Sequence, residues 1–443
     1  MDTLLFQRLR NIFHLGTAYF TYPGATHSRF EHSLGVMSLG SSVLYNVINN
    51  ANEKKLDFWK KLEDNEELKK TLRYACLLHD IGHAPFSHVC EEFYDKERDL
   101  LVKDLKNQLE FIIDSNENTE QMWRSKPLHE LMSCSIILSH YSDKLDELEV
   151  NPKDVCAIIL GRVCKDVPRE KRSHYGVLAN ILNSPIDVDK FDYLLRDNYM
   201  TGASLASLDK ERLLTSYTVS HKNNLVLSEK GLSLVTNLIV GRNQVYMWVY
   251  QHHKVVFTDT LLRKMIRTLI DEGLIKTEDF FSKSAVTEEL IDDYNMISEI
   301  RTNAKKSKKI LDLYSMWRGH EFLKPCWKHA FEFNKKFEGE PKNDLVKDAR
   351  YKPDKLEKWL AKHLKIEACR VMVSCAKFEP FIAAGKDIPI NVNGSIKYAI
   401  GDFGLSIEDI GKYSNVPYVY VDANQIDNCL DGLKNYSSSF ISD

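Results

Sequence analysis

Residues 79–88 read His-Asp-Ile-Gly-His-Ala-Pro-Phe-Ser-His. Three of the chain's fifteen histidines, and an aspartate, fall in this stretch. His79 and His83 stand four apart, a spacing that places them on one face of a helix. Gly82 and Pro85 mark the end of that helix. Asp80 follows His79 directly, so both reach one ion only if it lies between their directions, near a helix end. An imidazole beside a carboxylate suits Fe, Mn or Zn, whereas Ca prefers an all-oxygen shell.

Working outward, residues 22–33 read Tyr-Pro-Gly-Ala-Thr-His-Ser-Arg-Phe-Glu-His-Ser. Arg29 and His32 are three apart there and share a helical face. Residues 187–197 read Asp-Val-Asp-Lys-Phe-Asp-Tyr-Leu-Leu-Arg-Asp, with Asp189 and Tyr193 on one face and Lys190 beside them. His129-Glu130 opens another helix. Arg242, Tyr246 and Tyr250 are spaced by four, so one face offers a cation and two rings.

The rest of the first half is helix after helix. Helices are expected over 30–50, 66–83, 127–141, 152–164, 174–182, 187–199, 209–219, 229–255 and 258–272. A small hairpin is expected at Tyr217–Ser220 and Asn224–Leu227. After residue 275 the character changes. Residues 285–335 are helical and charged, 336–353 read as a loop or linker, and 354–365 as a helix. Strand patterns follow at Ala368–Cys375, Ile388–Val392, Ile396–Ile400 and Tyr418–Val421. The expected fold is mostly α: a catalytic domain over 1–275 and a smaller C-terminal α+β domain over 276–443.

Composition narrows the function classes. The chain has 443 residues, 28% charged and 43% hydrophobic, with a net charge of −3. That is ordinary globular usage, and the bulk charge gives no reason to propose coating of nucleic acid. The run Lys305–Lys309 reads as a solvated face. No apolar run reaches the roughly 18–20 residues that span a bilayer. Arg8 and Arg10 lie inside the N-terminal apolar run, the reverse of a secretory signal. The nine cysteines form no Cys-x-x-Cys pair. They read as buried thiols of a cytoplasmic protein.

The order His32, His79-Asp80, Asp189 resembles the HD-domain metal-dependent phosphohydrolases. The motifs at 21–36, 79–88, 187–197 and 242–254 further resemble the family's dNTP triphosphohydrolase branch, which includes the vertebrate sterile-alpha-motif HD protein and the bacterial dGTPases. The resemblance covers residues 2–260. It implies an HD helical bundle, and one divalent transition metal held by His32, His79, Asp80 and Asp189, with Mg on the nucleotide phosphates. It implies water attack at the α-phosphorus of a dNTP and release of intact triphosphate. His129 matches the general acid, with Glu130 or Glu91 to set its pKa. His88 matches a contact to the α-phosphate, and His83 lies beside the attacking water. Arg29, Lys190, Tyr193 and Arg242 match phosphate-binding positions. Tyr250 matches the ring that packs on the sugar, with Leu15 as its apolar partner, Asp197 as acceptor for the 3′-hydroxyl, and Gln251 near the base edge.

The chain departs from the pattern twice. His14 stands where the family usually has glutamine, as a donor to the same hydroxyl. The family also has a hairpin-forming segment before the Leu-Leu-Phe-Gln-Arg-Leu-Arg motif, here residues 4–10. Asp2, Gln7 and Arg10 match one half of a GTP or dNTP effector site between subunits of a homodimer or homotetramer. The alternatives are an HD phosphohydrolase or phosphodiesterase for another nucleotide or a nucleic-acid end, and a nucleotide-sensing module. Arg29, Lys190 and Arg242 together favour a polyphosphate.

Overall fold

The computed structural model describes residues 1–53, 65–112, 117–205, 207–220, 222–375, 387–399, 401–403 and 416–441. The site rests on a few helices. They are α1 (Arg29–Glu53), α2 (Glu66–Leu78), α3 (Leu128–Ile136), α4 (Val188–Thr201), α5 (Leu232–Val245), α6 (His253–Asp271) and α7 (Asp293–Asn303). Each begins for a local reason. Glu31 in the first turn of α1 accepts the Ser28 N–H at 2.6 Å. Asn65 caps α2 by accepting the Leu68 N–H at 3.2 Å. Asp187 caps α4 by accepting the Lys190 N–H at 2.8 Å. These side chains pair amides that a helix start otherwise leaves open. Gly202, at φ +67°, ends α4 in the left-handed region that glycine enters freely.

Apolar residues then decide the packing. Leu68, Leu72, Ala75 and Cys76 form one buried stripe on α2. That stripe faces α1, which also packs on α4. Among the described residues, one large apolar core includes residues from Leu5 to Ile441, beside a small cluster of Ala18, Ala25 and Val255. No helix among the described residues is long and apolar enough to cross a membrane.

Among the described residues, two small sheets complete the fold. The strands β1 (Tyr217–Val219) and β2 (Leu225–Ser228) form the expected antiparallel hairpin. In the C-terminal region lie β3 (Lys324–Pro325), β4 (Met372–Cys375), β5 (Pro389–Val392), β6 (Ser395–Tyr398) and β7 (Pro417–Val421). The first sheet has the order β1-β2-β5-β6, with β2 parallel to β5 through Leu227 opposite Ile390. The second is β3-β7-β4 and antiparallel, with Met372 opposite Tyr420. The chain is thus mostly helical, with its strands in small sheets.

Three expectations are corrected. The helix read over 66–83 ends at Leu78, and His79 is its C-cap. His79 and His83 therefore do not share a helical face. They are brought together by the turns that follow. The helix read over 229–255 is interrupted by a π-turn at Tyr246–Tyr250, and α6 starts at His253. The segment 336–353, read as a loop, holds α8 (Gly339–Tyr351). Its charged composition concealed a stripe of Leu345, Asp348 and Ala349, all buried. Asp348 is covered by the Tyr436 hydroxyl, which donates to it at 2.9 Å.

Candidate active site

Four side chains from three helices meet at one point. His32 comes from α1, His79 and Asp80 from the end of α2, and Asp189 from the first turn of α4. His32 Nε2 lies 3.0 Å from Asp189 Oδ1 and 3.6 Å from Asp80 Oδ2. His79 Nε2 lies 3.3 Å from Asp80 Oδ1 and 3.8 Å from Asp189 Oδ1. Both imidazoles are aimed from behind. His79 Nδ1–H donates to the Cys76 carbonyl at 2.8 Å, and His32 Nδ1–H to Asp192 Oδ2 at 2.8 Å. Arg196 fixes Asp192 in turn, donating at 2.8 and 3.0 Å. These outer bonds settle the tautomers and leave Nε2 as the inward atom.

The residues present fit a metal ion. Each inward Nε2 is buried and makes no aligned hydrogen bond among the described residues. Burial lowers the His32 pKa, but Asp189 and Asp192 outweigh it and lift it to about 10. Burial likewise opposes ionisation of Asp80, yet His79, Arg29 and His83 hold its carboxyl well below the usual range. The pocket is built around positive charge. Two imidazoles with two carboxylates are a donor set for Fe, Mn or Zn.

Two glycines make the approach possible. A Cβ on Gly35 would lie 1.9 Å from Asp192 Oδ1, so only glycine lets Asp192 reach His32. A Cβ on Gly82 would lie 2.4 Å from the Ser133 amide nitrogen. The loop 79–83 therefore presses on α3, where Ser133 Oγ accepts the Gly82 N–H at 2.9 Å and donates to the His79 carbonyl at 2.6 Å.

Beside this cluster stand three more histidines and a glutamate. The His83 ring stacks on His129 with centroids 4.1 Å apart, and His83 Nε2 lies 3.3 Å from Asp80 Oδ1. Burial and the nearby Arg29 push the His83 pKa well down, so this ring is neutral. Glu91 Oε1 accepts His129 Nδ1–H at 2.7 Å, and Glu91 Oε2 accepts His88 Nδ1–H at 2.9 Å. Burial lowers the His129 pKa, but the Glu91 charge and hydrogen bond outweigh it and raise it to about 9. Glu91, not Glu130, makes that bond, and Glu130 Oε2 has no hydrogen-bond partner among the described residues.

The third part is a polar end around Asp197. This carboxylate is fully buried and accepts His27 Nε2–H at 2.8 Å and the Tyr250 hydroxyl. His14 Nε2 is 3.8 Å away. Burial, then Arg29, keep His14 neutral. Tyr246 and Tyr250 lie on the π-turn, with ring centroids 4.8 Å apart. Such turns recur at functional sites because they re-aim side chains. Arg242 lies over the Tyr246 ring at 4.4 Å and bonds Tyr193. Lys190 donates to Asp187 and to the Ser184 carbonyl at 3.1 Å. Arg29 donates to Asp80 at 2.7 Å and to Ser87 Oγ at 2.9 Å. Each cation expected at phosphate thus has a protein partner here. A cleft of about 1340 Å³ opens at His88, Glu91, Tyr246, Tyr250 and Gln251 and follows α6 outward. Leu15 is half-buried and packs near Ala18, Ala25 and Val255.

Asp2, Gln7 and Arg10 lie apart from this group, near the N-terminus. Gln7 accepts Arg10 Nε–H at 2.7 Å, and the Arg10 guanidinium sits 3.6 Å above the Phe30 ring.

Several supporting residues escaped the sequence reading. Asp192 carried a usable signal, three residues after Asp189 on the same helix. Ser133 and Asp293 carried none, because their contacts are remote in sequence. Asp293 is fully buried in the first turn of α7. Its carboxylate accepts the Phe86 N–H at 2.6 Å and the Phe13 N–H at 2.8 Å. Phe86 and Ser87 have φ of +57° and +56°, a conformation that costs a bulky residue energy. Arg8 helps hold the same loop, donating to the His83 carbonyl at 2.8 Å.

The HD domain family profile matches residues 29–166, and that of the HD associated region matches 208–396. The chain thus carries an HD domain followed by an HD associated region. It is 31% identical over 314 residues to a Dictyostelium discoideum protein named deoxynucleoside triphosphate triphosphohydrolase SAMHD1 homolog, covering 70% of this chain and 52% of that one. It is 29% identical over 341 residues to an uncharacterized Mycoplasma pneumoniae protein, 71% of each chain. The chain thus spans between about half and seven-tenths of the length of these two relatives. A solved phosphohydrolase from Bacteroides thetaiotaomicron shares the fold, with a TM-score of 0.62 at 21% identity, covering 95% of this chain and 94% of that one.

Proposed function

We propose that this HD-domain protein hydrolyses deoxynucleoside triphosphates to deoxynucleoside and inorganic triphosphate, by water attack at the α-phosphorus. The observation that carries the reading is the Glu91–His129 pair stacked on His83 beside Asp80. Attack at that phosphorus expels a 5′-alkoxide, which needs a proton. An imidazolium with a pKa of about 9 supplies it at neutral pH. A divalent metal held by His32, His79, Asp80 and Asp189 would add Lewis-acid activation of the phosphate and of water. His83, neutral and one ring away, orients water, and His88 meets the α-phosphate.

The choice of substrate rests on the Dictyostelium relative's name and on the cations. A triphosphate carries about four negative charges and draws Arg29, Lys190 and Arg242 from their protein partners. Tyr250 packs on the sugar, Asp197 accepts the 3′-hydroxyl, and Gln251 meets the base edge at the cleft mouth. On this reading residues 1–275 form the catalytic domain, and 276–443 a smaller domain that lends Asp293 to the loop behind His88. Asp2, Gln7 and Arg10 form half of a nucleotide effector site in a homodimer or homotetramer.

A product assay tests the proposal. Metal-loaded protein meets each dNTP alone and in pairs, with GTP and ATP as controls, and products are resolved by anion exchange. Deoxynucleoside plus intact triphosphate is expected. No triphosphate under any pairing, with metal verified as bound, refutes it.

A further inference from the structure

We infer that His14 is an additional protein ligand of the metal held by His32, His79, Asp80 and Asp189. The inference deepens the metal site on which the proposed function rests.

His14 comes from the turn before α1, outside the His…His-Asp…Asp order. It is 93% buried, since only 7% of its surface is exposed. A ring nitrogen of His14, one of His32 and an Asp80 oxygen all lie within 4.8 Å of one another. His14 Nδ1 is buried with no hydrogen-bond partner among the described residues. A polar atom left so in a core needs a reason, and a cation a short distance away is one.

Ring spacing supports the assignment. A metal–nitrogen bond is about 2.1 Å, which puts the ion about 3.2 Å from each imidazole centre. Two imidazoles at right angles on one ion then have centres about 4.5 Å apart, and at tetrahedral angles about 5.2 Å. The observed centroid separations are 4.4 Å for His14–His32 and 5.3 Å for His32–His79. Both are the values that cis ligands of one ion would give. His27, the next ring along, is 5.2 Å from His14. It is already bonded to Asp197, and it groups with His14 and Asp197 but not with His32 and Asp80. His14 therefore stands between the metal and the Asp197 end. It belongs to the metal by its spacing to His32, and to the sugar contact by the longer 3.8 Å to Asp197. Glutamine, usual at this position in the family, offers a poorer donor to Fe, Mn or Zn than imidazole does.

The test needs no substrate, so failure of the dNTP reading leaves it intact. X-ray absorption of the Zn²⁺-loaded full chain counts imidazoles, and competition against a chromophoric chelator gives affinity. Three imidazoles are expected in the unaltered protein and two in His14→Gln, with metal affinity lower by about tenfold or more. His27→Gln, the control, keeps three. A third variant, His14→Cys, loaded with Co²⁺ shows a thiolate-to-cobalt charge-transfer band if position 14 reaches the ion, and reads directly in a folded protein. Two imidazoles in the unaltered protein, or His14→Gln affinity within twofold of it, or a His14→Cys protein that binds Co²⁺ without that band, overturns the inference.

Discussion

The carboxylate of Glu91 lies 2.7 Å from Nδ1 of His129 and stands behind that ring as its counter-ion. With Nδ1–H committed to Glu91, the other nitrogen of His129 is the one that can meet a leaving group. The charge also decides protonation. Burial would make this imidazole neutral, but Glu91 raises its pKa to about 9.

A pH dependence follows, with a definite sign. In the proposed reaction His129 is the acid, so kcat is expected to fall as pH rises through about 9. Glu91→Gln removes the charge that raises the pKa, and the alkaline limb moves toward lower pH. His129→Ala loses about 10²–10⁴ in kcat. The pair also adds stability that is full below the free imidazole pKa and is lost as pH rises through about 9. Rate profiles of the three proteins check this, and an alkaline limb unmoved in Glu91→Gln contradicts it.

Asp192→Asn keeps the shape behind His32 but removes the charge. Metal affinity falls by about 10- to 100-fold with the fold retained, as for other outer-shell partners of a ligating histidine. A chelator competition titration measures it.

Gly35 and Gly82 separate the two roles a glycine plays near this site. The new Cβ of Gly82→Ala meets backbone, 2.4 Å from Ser133 N and 2.7 Å from the His129 carbonyl oxygen. Backbone must shift, so stability drops by about 1–3 kcal/mol. In Gly35→Ala the obstacles are the tips of Asp192 and Arg196. These move aside, and the loss falls on metal binding. Thermal melts paired with metal content should show the crossed pattern.

Much of this was legible in the sequence because the chemistry sits in short motifs. His32, His79, Asp80 and Asp189 were identified by order and resemblance, and the helices carrying them by period and cap. The outer partners were harder. Ser133 meets the 79–83 loop across 51 residues, and Asp293 meets Phe86 across 207. Nothing local distinguishes either from a surface polar group. The helix Gly339–Tyr351 was missed because its narrow buried stripe is diluted by charge, and the π-turn at Tyr246–Tyr250 because four-residue spacing looks the same before and after it.

Asp293 holds two loops at once. Asp293→Ala leaves the Phe13 and Phe86 amides without an acceptor, at about 1–3 kcal/mol for each. It also frees the positive-φ turn at Phe86 and Ser87 that precedes His88. Denaturant unfolding should show the loss, with kcat lowered at conditions where the variant is folded. Asp293→Asn, which keeps one acceptor oxygen, should fall between the two.

The central claim is tested most directly by hydrolysis of a dNTP in ¹⁸O-labelled water, with both products weighed by mass spectrometry. Attack at the α-phosphorus breaks the bond from phosphorus to the 5′-oxygen. The account predicts one ¹⁸O in the inorganic triphosphate and none in the deoxynucleoside. Label in the deoxynucleoside, or a deoxynucleoside monophosphate with pyrophosphate, would contradict it.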